Sequence, residues 1–284
     1  MNHNPPAWWV ALQGEWSRAL ARPLEFQHGT FVSPDAKQAA SVLELDGNEG
    51  SRTSRFELYH VQVWQRVCAT VQEGLPCTTR VIEPLLLNRI ALMVFAESPP
   101  DDRSLDSVSD RVGAVIRKSV AAPRADTPPT AGQVRQLLES ASVRLPVLQQ
   151  AVQLDLAHRI AFQAAVPRVA QAVSQLSDVS SGTQVSVNPT LSVLRLTHDV
   201  QTDGAPELPV PLHVAVVRSV DGIRTDTVDP ILARLLTLAR SQTLGQARES
   251  IANSVAPSSQ ESLDSRLDTA IRVAFERNYW LGTR

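Results

Sequence analysis

Apolar positions fall at helical spacing through most of this chain and at strand-like spacing in the part that follows. From about Arg55 to Gln72, Leu58, Val61, Trp64, Cys68 and Val71 step by three or four before Gly74-Leu75-Pro76. That is the stripe and the stop of an amphipathic helix. A second stripe, from about Pro146 to Ala165, has Leu148, Val152, Leu156 and Ile160 four apart. Inside it Asp155 precedes Arg159 by one turn, the spacing of a modest ion pair on a surface or half-buried face. A third helical start runs from about Trp8 to Ala21, where Trp8, Trp9 and Trp16 cover a helical core or offer a docking stripe. Proline-rich breaks stand at Ser98-Pro99-Pro100 and from Pro123 to Gly132, and the polar segment from Gln27 to Ser54 reads as an inserted loop. The region before about Ser174 is therefore expected to be helical.

Beyond it the period changes. Leu191 to Leu196, Leu212 to Arg218 and Ile223 to Val228 read as three strands, the last two joined at Asp221-Gly222, a strong hairpin signal. Asp229-Pro230 offers a helix N-cap with proline in the first turn, and Ile231, Leu232, Leu235, Leu236 and Ala239 continue at helical spacing. Thr243 with Gln246, and Ser258 with Glu261 after Pro257, fit capping boxes for two further helices. In the last of these, Leu263, Leu267, Ala270, Ile271 and Ala274 form one stripe that can close a core. The expectation is an α+β chain: an all-helical domain at 1–173, a linker at 174–183, and a small winged helix-turn-helix of three strands and three helices at 184–284.

A winged helix most often suggests DNA, and charge opposes that reading here. From Thr190 to Arg284 there are ten arginines and no lysine against eleven aspartates and glutamates. Arg266, Arg272 and Arg277 on the would-be recognition helix alternate with Glu261, Asp264, Asp268 and Glu276, which would repel phosphate. The whole chain, 284 residues with a formal charge of −2, has no general attraction to nucleic acid or anionic lipid. It has no apolar run of membrane-span length, and Met1-Asn2-His3-Asn4-Pro5-Pro6 lacks the features of a signal peptide, so a cytoplasmic protein is expected.

Reactive chemistry is sparse. Cys68 and Cys77 match no zinc or redox spacing and read as reduced thiols packed in helices. No two of His3, His28, His60, His158, His198 and His213 stand three or four apart, as ligands on one helix face would. There is no glycine-rich phosphate loop, nucleophile elbow or local carboxylate cluster. No catalytic residue, metal ligand or cofactor is expected in this chain. Binding is the expected role.

Several short motifs resemble, in order and spacing, those of the HvfC/BufC-type family, whose N-terminal part is labelled a DNA-binding domain. They are Arg55-Phe-Glu-Leu-Tyr59 opening a helix that ends in Leu75-Pro76, then Ser98-Pro99-Pro100, then Leu145-Pro146-Val-Leu148 leading to Leu154-Asp155. Asn188-Pro189-Thr190-Leu191, Val217-Arg218 with Asp221-Gly222, and Thr243-Leu244-Gly-Gln-Ala247 continue the match over roughly residues 50 to 284, with a departure in the insertion before Arg55. The resemblance implies a partner subunit of multinuclear non-haem iron enzymes that oxidise ribosomally made (RiPP) peptides. In such systems a barrel-type iron enzyme acts on a precursor's cysteine, and the partner carries a winged-helix-like RiPP recognition element. The type it most resembles is the one whose enzyme excises a carbon from a C-terminal cysteine on the way to 3-thiaglutamate.

The binding mode implied is strand addition, in which a leader peptide pairs with an open sheet edge and its alternate side chains enter a groove. The expected groove lies between Ile223, Arg224, Thr225, Asp226, Thr227 and Val228 on the third strand and Leu263, Arg266, Leu267, Ala270 and Ile271 on the third helix. Arg224 and Arg266 would meet acidic leader residues. The expected partners are the iron enzyme, which would hold the iron, and the leader peptide. A DNA-binding regulator and a stand-alone enzyme are the competing classes.

Overall fold

A computed structural model describes residues 7–34, 49–100, 106–121, 128–166, 182–254 and 260–283. The fold is α+β, and the chain divides into two compact units, residues 1–152 and 153–284. The division falls inside a helix rather than at 174–183, most of which lies outside the described residues.

The first unit contains α1 (Ala7–Ala21), a hairpin of β1 (Glu25–Gln27) and β2 (Thr30–Val32), α2 (Glu49–Gly74), α3 (Pro76–Ile82), α4 (Pro84–Glu97), α5 (Asp106–Val120), α6 (Pro129–Ser140) and the first part of α7 (Leu145–Gln163). The hairpin corrects the all-helical expectation and part of the loop assigned to Gln27–Ser54. It closes through His28 and Gly29, both at positive φ, the backbone of a type I′ turn. Phe26 and Phe31 face each other across it with ring centroids 5.1 Å apart. Strands this short carry too few residues to show an alternating pattern.

Helix α2 also begins earlier than its stripe suggested, and it turns a different face inward. Phe56, His60, Trp64, Val67 and Val71 are buried, whereas Leu58 is 57% exposed. His60 takes an apolar-face position because both ring nitrogens are bonded. Its Nε2 lies 2.6 Å from the Arg22 carbonyl, so it carries the proton, and Nδ1 lies 2.7 Å from Ser33 Oγ. In α7 the four-residue stripe drifts: Leu148 and Val152 are buried, but Ile160 is 53% exposed. Each step of four advances about 40° around a helix of 3.6 residues per turn, so three such steps leave the core face. Asp155, expected on a surface or half-buried face, is fully buried.

Trp16 packs edge-on against Phe56 and Tyr59, as a core-covering residue should; the side chains of Trp8 and Trp9 lie outside the described residues. Both cysteines are free and buried, in α2 and α3. Burial pushes the Cys68 thiol up to about 11, so at neutral pH it is protonated and a poor nucleophile.

The second unit adds β3 (Val185–Val187), β4 (Ser192–His198), β5 (Glu207–Ser219), β6 (Gly222–Val228), α8 (Pro230–Leu238), α9 (Leu244–Ala252), α10 (Gln260–Glu276) and β7 (Trp280–Thr283). The expected strands are β4, β5 and β6, an antiparallel sheet in that order. Two of the expected helix starts are seen in full. Asp229 accepts from the Ile231 N–H, and Thr243 and Gln246 exchange both bonds of a capping box. Ser258 lies outside the described residues. Ala215, Val217 and Val228 from the sheet pack with Leu235, Leu236, Ala247, Ile251, Leu267, Ile271 and Trp280 in one hydrophobic core.

A second small sheet, β3 with β7, gave no periodic signal. It is secured by Asn188, only 1% exposed, whose Nδ2 donates to the Arg218 and Asn278 carbonyls at 3.1 and 3.0 Å. Its Oδ1 accepts from the Thr190 N–H and hydroxyl, and the Thr190 hydroxyl accepts from the Arg218 N–H. Helix α10 ends through Asn278, whose φ is 56°. Bonds from Asn278 N–H to Phe275 O and from Tyr279 N–H to Ala274 O form a Schellman cap. Among the described residues no helix is long and apolar enough to cross a membrane.

Candidate functional site

The hairpin of β5 and β6 closes over Val220-Asp221, with Ser219 paired to Gly222. Of these turn residues only Gly222 has positive φ, at 126°, so the Asp-Gly signal located the turn but Asp221 does not adopt the left-handed backbone. In an antiparallel ladder, successive residues point their backbone groups alternately toward and away from the partner. The N–H and C=O of Arg218 both bond on the β4 side, to Thr190 and Asn188. Its cross-strand neighbour Ile223 is therefore not bonded to it and turns its own backbone groups outward. Thr225 and Thr227 follow in the same phase. Strand β6 is the terminal strand of its sheet, so these outward groups meet no further strand among the described residues.

The two faces of β6 differ. Ile223, Thr225 and Thr227 are exposed on one, while Arg224 and Asp226 are half-buried and Val228 buried on the other. On the exposed side the Thr225 hydroxyl lies 2.7 Å from His158 Nε2, and Arg218 donates to the Phe162 carbonyl at 3.0 Å. The last turns of α7 thus stand beside this edge. On the inner side Asp226 receives the Tyr279 hydroxyl at 2.6 Å and Arg224 at 2.8 Å, with Arg277 at 3.8 Å. Desolvation opposes the Asp226 charge, but the bonds from Tyr279 and Arg224 and the positive charges of Arg224 and Arg277 outweigh it and hold the carboxyl below its usual range. Burial first, then the bond to Asp226 and its negative charge, raise the Tyr279 phenol. The cluster is a paired structural unit joining β6 to the end of α10.

The expected groove wall on α10 is changed by this geometry. Leu263, Leu267, Ala270 and Ile271 are all buried in the core, because one apolar stripe cannot both close a core and line an open groove. On that face Arg266 is exposed, bonded to Asp229 at 3.1 Å. Arg224 is likewise already paired, with Asp226. The structure brings Tyr279, Arg277 and His158 to the site, and none was assigned to it from the sequence. Their one local sign was Asn278, a residue tolerant of the left-handed backbone that ends a helix.

Strand β6 carries no lysine, proline or bulge, and its edge protection is limited to the inward-pointing charges of Arg224 and Asp226. The stretch of β5 beyond its pairing with β6 carries Pro209 and Pro211, which have no N–H to offer. No protein-family model matches the chain, and no curated protein matches it.

Proposed function

We infer that this chain is a non-catalytic partner protein, with a winged-helix-like recognition module that binds the leader of a ribosomally made precursor peptide by adding it as a strand to β6. The helical unit docks on a barrel-type multinuclear iron enzyme and holds the precursor's cysteine near the metal, lowering the entropy cost of reaction. The 3-thiaglutamate type of modification is the form of this chemistry the sequence motifs favour. The observation that carries the reading is the terminal position of β6 in its sheet, with backbone groups at Ile223, Thr225 and Thr227 facing outward. The three-stranded sheet β4 to β6 followed by α8, α9 and α10 supports it, beside the second sheet of β3 and β7. Pairing of Arg266 with Asp229 and of Arg277 with Asp226 disfavours duplex DNA, since these arginines are already partly neutralised.

The test is co-expression with a barrel-type multinuclear iron enzyme found in a neighbouring reading frame, followed by titration of a fluorescent leader from a precursor found there. Thr225→Pro removes an outward N–H and leaves the bonds to β5 in place, because Thr225 faces Val216 at a non-bonded pair. Each backbone bond contributes about 1 kcal/mol, so leader affinity should fall by several-fold to about tenfold. His158→Ala, which removes the bond to the Thr225 hydroxyl and keeps the β6 backbone N–H, controls for that loss. Unchanged affinity in Thr225→Pro would exclude β6 as the binding edge, and failure to co-purify with the enzyme would exclude the partnership.

A further inference from the structure

The sequence along β6 is self-complementary about its central threonine. We propose that in the absence of a guest peptide the β6 edges of two copies of this chain pair with each other, antiparallel, about a two-fold axis at Thr225. In that register Thr225 faces Thr225 of the second copy, Ile223 faces Thr227, and Arg224 faces Asp226. The residues whose backbone groups already point outward, Ile223, Thr225 and Thr227, are the ones that form the hydrogen-bonded pairs of the new ladder.

Charge selects this occupant. Arg224 and Asp226 sit side by side on the inner face at 2.8 Å, and the two-fold places each opposite the other's counterpart. The result is an alternating cluster of two arginines and two aspartates with no like charges directly opposed. A slip by one residue would set Arg224 against Thr225 and turn the side chains to the wrong face. Threonine and isoleucine are also favourable cross-strand neighbours on the exposed face. The interface is isologous, so it closes at two copies and does not grow into fibres. It shares its edge with the leader-binding reading but does not depend on it.

Sedimentation equilibrium of the full chain should show mass rising from monomer toward dimer with concentration. Cross-linking then reads the register. In the paired ladder the two Thr225 Cα atoms lie about 5.5 Å apart, within the roughly 4.4–6.8 Å that a disulfide spans, so Thr225→Cys should give a disulfide-linked dimer under mild oxidation. Ile223→Cys should not, because its two copies stand about 14 Å apart at about 3.4 Å per residue. An equal mixture of Ile223→Cys and Thr227→Cys should cross-link. The native Cys68 and Cys77 are buried and give little background. A wild-type chain that stays monomeric at every concentration overturns the proposal, as does equal cross-linking of Thr225→Cys and Ile223→Cys. Leader binding measured on such a monomer would leave the functional reading standing.

Discussion

At the scale of single residues, two buried polar side chains carry more structure than their neighbours. Asn188 satisfies two carbonyls, one N–H and one hydroxyl from separate segments. Asn188→Ala leaves these groups without their partner, at about 1–3 kcal/mol for each buried polar group left unmade, and should lower the thermal midpoint by several degrees in a calorimetric scan. His60 behaves differently because it titrates. Burial is the largest influence on it and lowers its pKa below 6.5; the Arg22 carbonyl opposes that and the Arg22 charge adds to it. The unfolded chain then binds more protons than the folded one as pH falls below about 6.5, so folding stability is full above that pH and declines beneath it. Urea unfolding should show the loss between pH 7.5 and 5.5, and His60→Gln should flatten it. His158, lowered chiefly by burial and raised by Asp155, contributes in the same direction and leaves a residual slope.

Among the elements, the cap of α10 decides where the site cluster forms. Asn278 holds a left-handed backbone and so delivers Tyr279 to Asp226. A β-branched residue is strained there by about 1–2 kcal/mol. Asn278→Val should destabilise the chain by that amount, measured by denaturant midpoint, whereas Asn278→Gly should be near neutral. Elements whose cause is local were legible in the sequence. Asp229-Pro230, the Thr243–Gln246 box and the Gly222 turn all act within a few residues, and each stands where it was expected. Elements whose cause is distant were not. The pairing of β3 with β7 depends on residues nearly a hundred positions apart, and the β1–β2 hairpin is too short to show a period. The stripe of α10 was correctly found but carried two readings, and packing decided for the core. Pairing of Arg277 and Tyr279 with Asp226 was not visible, because β6 and the end of α10 approach only once both are folded.

For the molecule as a whole, the motifs that carried the family resemblance turn out to be largely architectural. Asn188-Pro189-Thr190 secures the second sheet, Thr243 and Gln246 cap α9, and Val217-Arg218 lies in the central strand. They fix the scaffold, and the edge of β6 is where the proposed leader would join it. The bond from Asn188 to Asn278 joins positions 90 residues apart. During synthesis the sheet can therefore gather early, yet its closing stitch waits until residue 278 has left the ribosome. Until then the core that Tyr279 and Trp280 help to fill is incomplete, and its apolar residues stay open to solvent.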